Sequence, residues 1–354
     1  MANNPPKILL GMLVANGDCL LTTVLARQIK HDYPGCHLTW AISDLCSSVI
    51  TNNPFVDDVW IVPLVNKKAG EKEGWFSFQA AAMQRKAAGA FDEVFFTQIY
   101  PTNVHGFDGT TRGTIYAAYP NPVTVDARPV LRLTADEKLK VEQYAVANKL
   151  ADHKTVMLFE CSSFSGQSFV TSAWALEVCT ALLEKHPDLL IILSTHENIP
   201  SHHPRLLVAN TLGLRENAAL THYCNLLVGC SSGITWMAVS DAAKRLPMVQ
   251  FLKRGKGFTF ASVAYDHQYW GLDATQILET TDPDKGHAIQ LLEDVLQKGV
   301  AACKPQYHQI LKPRLISLLK YSFMFFRRAQ FGRSFGIVKR FVLRNYIRSQ
   351  RPLS

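Results

Sequence analysis

The sequence predicts an α/β protein of two Rossmann-like domains facing each other across a cleft, followed by a basic amphipathic helical tail. Three observations predict it. Apolar strand-like runs alternate with helical segments from Lys7 to Phe96 and again from Thr155 to Ala301, the pattern of parallel sheets covered by helices. An irregular and then extended stretch over 97–133 separates the two halves. Finally, 304–354 carries 4 Lys and 8 Arg and no acid, while the rest of the chain holds 25 basic and 29 acidic residues. The domains expected are therefore 1–130, 131–304 and a tail, 305–354.

In chain order, Lys7–Val14 is an Ile/Leu/Val-rich run of the kind buried on both faces of a parallel sheet. Ala15-Asn16-Gly17 is a turn signal, and Asp18 opens a helix over 19–33. At the carboxyl edge of a strand, where ligands bind in such sheets, Asp18 is either a helix cap or a carboxylate facing a cleft. Strands over 37–42, 56–62 and 91–96 alternate with helices over 44–52 and 74–88. Thr134-Ala-Asp-Glu137 is a capping box that starts a helix running to about 150. The second half reads strand 155–159, polar loop 160–171, helix 172–186, strand 189–193 and a short run at 206–209. A helix over 214–222, strand 226–229, a loop and helix to about 243, strand 248–252 and an amphipathic helix over 284–301 complete it.

Composition narrows the function. The net charge of +8 belongs to the tail, so the body offers no basic groove for nucleic acid. The eight cysteines lie scattered, without a C-x-x-C pair or a His at metal-ligand spacing, as buried thiols of a reducing compartment do. No signal sequence opens the chain, and no apolar run approaches the roughly 20 residues of a membrane span. His202-His203-Pro204 lacks a third ligand at suitable spacing and reads as a surface loop; no metal is expected.

The dinucleotide fingerprint and the P-loop are both absent. Gly229-Cys-Ser-Ser-Gly233 has the spacing of a nucleophile elbow with Ser231, but only nonspecific acid and His candidates follow, Asp241, Asp266 and His267. A strand-to-helix junction of small hydroxyl residues suits an anion better, through the hydroxyls and amides of Ser231, Ser232, Gly233, Ile234 and Thr235; an ordinary Ser cap is the alternative. The loop after strand 155–159, with Ser162, Ser163 and Gln167, is a second donor-rich loop in the same half.

Gly17-Asp18 after the first strand, Tyr33-Pro34, and Asn53-Pro-Phe-Val-Asp-Asp-Val59 together resemble the N-terminal domain of glycosyltransferase family 9, the ADP-heptose–lipopolysaccharide heptosyltransferases. Leu212-Gly-Leu-Arg-Glu-Asn-Ala-Ala-Leu220 and Leu226-Leu-Val-Gly-Cys-Ser-Ser-Gly-Ile-Thr-Trp-Met-Ala238 resemble its donor-site region. The resemblance spans about 7–300 and implies a GT-B fold, with the acceptor on the N-terminal domain and the nucleotide sugar on the C-terminal one. It implies an inverting, metal-independent transfer with Asp18 as general base, and no cofactor beyond the nucleotide-sugar substrate. Acceptor contacts are expected from Gly17 and from Tyr100, His105 and Arg112 in the irregular stretch.

The chain also departs from the family pattern. The family's donor loop reads Asp-Thr-Gly with a His shortly after; here Ser231, Ser232, Gly233 and Trp236 stand there. The family's basic residue in the earlier loop is missing from 161–172, where Gln167 is the nearest substitute. The donor is thus a nucleotide sugar whose base and sugar the motifs leave open. A nucleotide-sugar epimerase and an inactive sugar-nucleotide-binding protein are the alternatives on the same architecture. Lys67-Lys68, Lys72 and Arg85-Lys86 form either a solvated face or one that meets an anionic acceptor. In the tail, basic residues interleave with Phe323-Met-Phe-Phe326, Phe331, Phe335 and Phe341-Val-Leu343. Its first part is expected to dock on the body, and roughly 320–351 to meet an anionic membrane, placing the protein on the cytoplasmic face with a lipid-linked saccharide acceptor.

Overall fold

The computed structural model describes residues 4–64, 70–161, 166–200, 203–254, 262–313, 318–319, 322–323, 326–327 and 331–343. Ser162, Ser163, His202, Lys67 and Lys68 lie outside these residues. The chain divides into two compact units: residues up to Arg132 together with the described residues from Pro313 onward, and Leu133–Lys312. The tail is therefore not a segment apart. Its opening residues belong to the second unit and its last described helix to the first.

In the first unit, β1 (Lys7–Gly11), β2 (His37–Ser43), β3 (Asp58–Val62) and β4 (Glu93–Phe96) form a parallel sheet ordered β3-β2-β1-β4. Consecutive side chains of β1 alternate faces, and Ile8, Leu9 and Leu10 are all fully buried, which is why the run is apolar throughout. Helix α2 (Gly70–Ala87) packs Trp75, Phe78 and Ala82 onto Leu9, Leu13 and Ala41. Gly11 is required by that packing, since a Cβ there would press on the rings of Phe78 and Phe96. Helix α1 (Asn16–Asp32) is mostly buried, and the stretch expected to be irregular is stitched along it. Gln28 Oε1 accepts from Thr124 N (2.8 Å) and Val125 N (3.1 Å), and Thr23 Oγ1 accepts from Val130 N (2.8 Å). A short helix that the sequence did not announce, α3 (Thr111–Tyr116), joins them, with Tyr116 donating to Leu21 O at 3.1 Å.

In the second unit the helices are α4 (Ala135–Ala147), α5 (Ser172–Lys185), α6 (Glu216–Leu220), α7 (Gly233–Ala238), α8 (Val263–Tyr269), α9 (Lys285–Lys298) and α10 (Val300–Tyr307). The strands are β5 (Thr155–Glu160), β6 (Leu189–Ser194), β7 (Leu206–Val208), β8 (Leu226–Gly229), β9 (Met248–Phe251) and β10 (Ile277–Thr280). They form a parallel sheet ordered β10-β9-β8-β5-β6-β7. Alternate residues feed two cores: Met157, Phe159, Ile191, Leu193 and Val228 in one, Val156, Leu158, Leu190, Ile192 and Leu227 in the other. The capping box forms as expected, with Glu137 N donating to Thr134 Oγ1 (3.1 Å) and Thr134 N to Glu137 Oε2 (2.7 Å). The helix expected over 284–301 is two helices, because Gly299 at φ 82° turns the chain between α9 and α10. Helix α7 stops at Ala238, earlier than the 243 expected, and α8 and β10 were not expected at all.

The last described helix, α11 (Phe331–Val342), is amphipathic. Its Ile337 and Phe341 are fully buried, Phe341 and Pro313 close on Gly109, and Arg340 Nη1 reaches His105 O at 3.3 Å. The helix thus docks on the first unit by one face, whereas the sequence reading had only the earlier part of the tail dock on the body. Its other face leaves Phe335 70% exposed. Among the described residues no helix is long and apolar enough to cross a membrane.

Candidate functional site

In an open parallel sheet, ligands bind beyond the carboxyl ends of the strands where the strand order reverses. That point falls between β1 and β4 in the first unit and between β5 and β8 in the second. Each unit places expected site residues there.

In the first unit, β1 leads into a turn that Gln98, just past β4, ties down: its Oε1 accepts from Leu13 N (3.0 Å) and Val14 N (3.2 Å). Ala15 follows with φ 67°, a conformation uncommon outside glycine, and Cys19 N closes the first helical turn on Ala15 O at 2.8 Å. Helix α1 therefore begins at Asn16, so Asp18 is not its cap, and no side chain caps it. Asn-Gly enters the helix instead of preceding it, because the strained Ala15 has already turned the chain. Asp18 stands in the first turn, partly exposed beside Gly17, and no hydrogen bond to its carboxyl forms among the described residues. A carboxylate in that position is ordinarily favoured by the helix dipole. Here desolvation wins, and burial pushes the carboxyl up from the usual carboxylate range to about 7.

The residues expected to contact an acceptor scatter. Tyr100 is 55% exposed. His105 Nδ1 lies 3.0 Å from Thr102 O, and its own carbonyl is held by Arg340. Arg112 corrects the expectation: it is 1% exposed and its Nη1 donates to Ala127 O at 2.5 Å. Helix α3 turns it inward, where it pins the returning chain and cannot meet a ligand from solvent.

In the second unit the 230–235 loop is assembled around a residue that sequence reasoning missed. Glu160, the last residue of β5, is fully buried. Its Oε2 accepts from Cys230 N (2.7 Å) and Thr235 Oγ1 (2.5 Å). Its Oε1 accepts from the Ser232 hydroxyl, Ile234 N (3.1 Å) and Thr235 N (3.3 Å). Gln250 at the end of β9 completes the cradle, its Oε1 accepting from Ser231 N at 2.9 Å. Gly229 is required beneath it, since a Cβ would collide with the side chains of Gln250 and Thr235. Ser231 is held at φ 51°, its hydroxyl buried without a hydrogen-bond partner among the described residues.

The donors of Ser232, Ile234 and Thr235, expected to meet a diphosphate, thus point at the protein's own carboxylate. Only the charged residue count of the strand, one Glu in an apolar run, could have signalled this. Gln167 lies on the neighbouring loop, with its carbonyl accepting from Lys253 N (2.8 Å) while Ser168 Oγ donates to Phe251 O (2.5 Å). Among the described residues, no group of three His, Cys, Asp or Glu could hold a metal ion.

The two sheets with their switch-point loops define the α/β class of GT-B proteins. No family model matches the chain, and no curated protein matches it. Among solved structures, the fold is shared with a glycosyl transferase family 9 protein from Veillonella parvula, at 16% identity and TM-score 0.53 over 85% of this chain and 94% of that one. It is shared with ADP-heptose lps heptosyltransferase II of E. coli, at 14% identity and TM-score 0.55 over 82% and 99%. A "putative UDP-N-acetylglucosamine 2-epimerase" from Listeria monocytogenes is similar too, at 11% identity and TM-score 0.55 over 92% and 97%.

Proposed function

We propose that this protein is an inverting, metal-independent glycosyltransferase that moves a sugar from a nucleotide sugar to a lipid-linked saccharide. The observation that carries it is Asp18: a partly exposed carboxyl without a hydrogen-bond partner among the described residues, at the switch point of the first sheet and raised to about 7. A base poised near neutral pH can take the proton of an acceptor hydroxyl while that oxygen attacks the anomeric carbon. The bond from that carbon to the diphosphate breaks with inversion, and the nucleoside diphosphate leaves. Gly17 allows the acceptor to approach Asp18, and Tyr100 and His105 of the same unit are further contacts for it. The nucleotide sugar sits at the carboxyl edge of the second sheet, against the loops carrying Gln167 and Ser231–Thr235.

The exposed face of α11, with Phe335, Lys339 and Arg340, rests on the anionic inner surface of the cell membrane and brings the lipid-linked acceptor within reach. The Listeria neighbour gives an epimerase its footing as the second reading; an epimerase would consume donor with no acceptor present.

The test is Asp18→Asn. Transfer should fall by about 10²–10⁴-fold while affinity for the nucleotide stays within about twofold. Wild-type kcat should rise with pH through about 7 as the carboxylate forms. Turnover retained in the variant would overturn the assignment, and donor breakdown without acceptor would favour the epimerase.

A further inference from the structure

We propose that Lys253 and Arg254 grip the diphosphate of the nucleotide sugar, a role that rests on the second unit being a nucleotide-sugar site. A diphosphate needs cations or several aligned donors. The start of α7 is already engaged, because the Glu160 carboxylate accepts from the Ser232 hydroxyl, Ile234 N, Thr235 N and Thr235 Oγ1, and from Cys230 N just before them. A phosphate brought to that turn would have to compete with the Glu160 side chain for the same amides. The loop after β5 offers no basic residue between 161 and 172.

The neighbouring strand end offers two. β9 pairs with β8, Gly229 opposite Gln250, so the residues after Phe251 lie beside the 230–235 loop. There Lys253 and Arg254 are both exposed, and neither side chain has a hydrogen-bond or ion-pair partner among the described residues. The loop after β5 is strapped onto this strand end, Lys253 N donating to Gln167 O at 2.8 Å and Ser168 Oγ to Phe251 O at 2.5 Å. The two basic residues therefore stand beside the loop where the cation is missing, next to the switch point between β5 and β8. A compact ammonium and a forked guanidinium in sequence suit two linked phosphates.

Calorimetric titration of the full chain with ADP, UDP and GDP, and with adenosine, uridine and guanosine, tests this. The Lys253→Ala/Arg254→Ala double variant should bind its preferred nucleoside diphosphate at least 30-fold more weakly, with a shallower salt dependence, and the matching nucleoside within twofold of wild type. Both residues are exposed, and the unchanged nucleoside binding reports an intact site. Glu160→Gln should leave diphosphate affinity within about threefold. Equal diphosphate affinity in the double variant and wild type would overturn the role of the basic pair while leaving the glycosyltransferase reading intact. A tenfold gain in Glu160→Gln would place the phosphates at the α7 turn and likewise overturn it. Wild type binding none of the diphosphates would overturn both.

Discussion

At the level of single residues, two carboxylic acids run against the trend of the others. Burial pushes Asp18 and Glu279 each up to about 7. Asp57, Asp126 and Glu137 are instead held below the ordinary range by the cations they bond, Lys30, Arg128 and Arg215, despite partial burial. The signs give opposite pH dependences. A lowered carboxyl contributes stability above its unfolded value, and that stability is lost as pH falls through the folded one. A raised carboxyl binds its proton more tightly when folded, so stability falls as pH rises from about 4 to about 7 and levels off above that. Thermal stability should therefore peak near about pH 4–5. Asp18→Asn removes one of the two costs. Full linkage would give about 4 kcal/mol at alkaline pH, which screening of a partly exposed carboxyl reduces to about 1–2 kcal/mol. The variant should melt several degrees above wild type at pH 8 and together with it below about pH 4. A melting difference independent of pH would contradict the buried-charge account.

At the level of elements, the second sheet uses one device twice. A strand glutamate takes the donors at a neighbouring helix start: Glu160 for α7, and Glu279 for α8, where its carboxylate accepts from Ser262 Oγ (2.5 Å), Val263 N (2.7 Å) and Ala264 N (3.0 Å). Helices of six and seven residues have little stability of their own, so their tertiary anchors decide whether they form. Glu160→Ala strands several buried donors and should destabilise the second unit by roughly 3 kcal/mol or more. Glu160→Gln, which keeps an acceptor, should lose markedly less. Urea denaturation of the two variants measures the difference, and equal losses would mean that the carboxylate only fills space.

At the level of the whole molecule, charge is segregated: a mildly acidic body and an acid-free C-terminal segment. Helix α11 buries Ile337 and Phe341 against the first unit and keeps Phe335, Lys339 and Arg340 outside. Because Arg340 holds the carbonyl of His105, a surface that binds α11 also bears on the loop beside the proposed acceptor site. The full chain should co-sediment with vesicles containing phosphatidylglycerol and not with phosphatidylcholine alone, and less so at high salt. Phe335→Ser/Lys339→Ala should weaken that binding severalfold without lowering the melting temperature. Unchanged sedimentation would remove the membrane from the proposal.

Local pattern determined much of this protein. Strand alternation, the capping box at Thr134 and Glu137, and the placing of Asp18 at a strand end were all legible, because each depends on neighbours within a turn or a strand. Helix α3 was hidden because Thr-Arg-Gly-Thr-Ile-Tyr has no apolar period, and β10 because a glutamate inside four residues reads as an exposed stretch. Tertiary structure alone decided the chemistry around the loops. Glu160 meets its donors 70 to 75 residues away, Lys253 meets Gln167 past the intervening β8, and Arg112 turns from a candidate ligand into an internal brace. A buried polar side chain is tolerated only where the fold delivers its partners, and those of Glu160 come from the loop and the helix that follow a neighbouring strand.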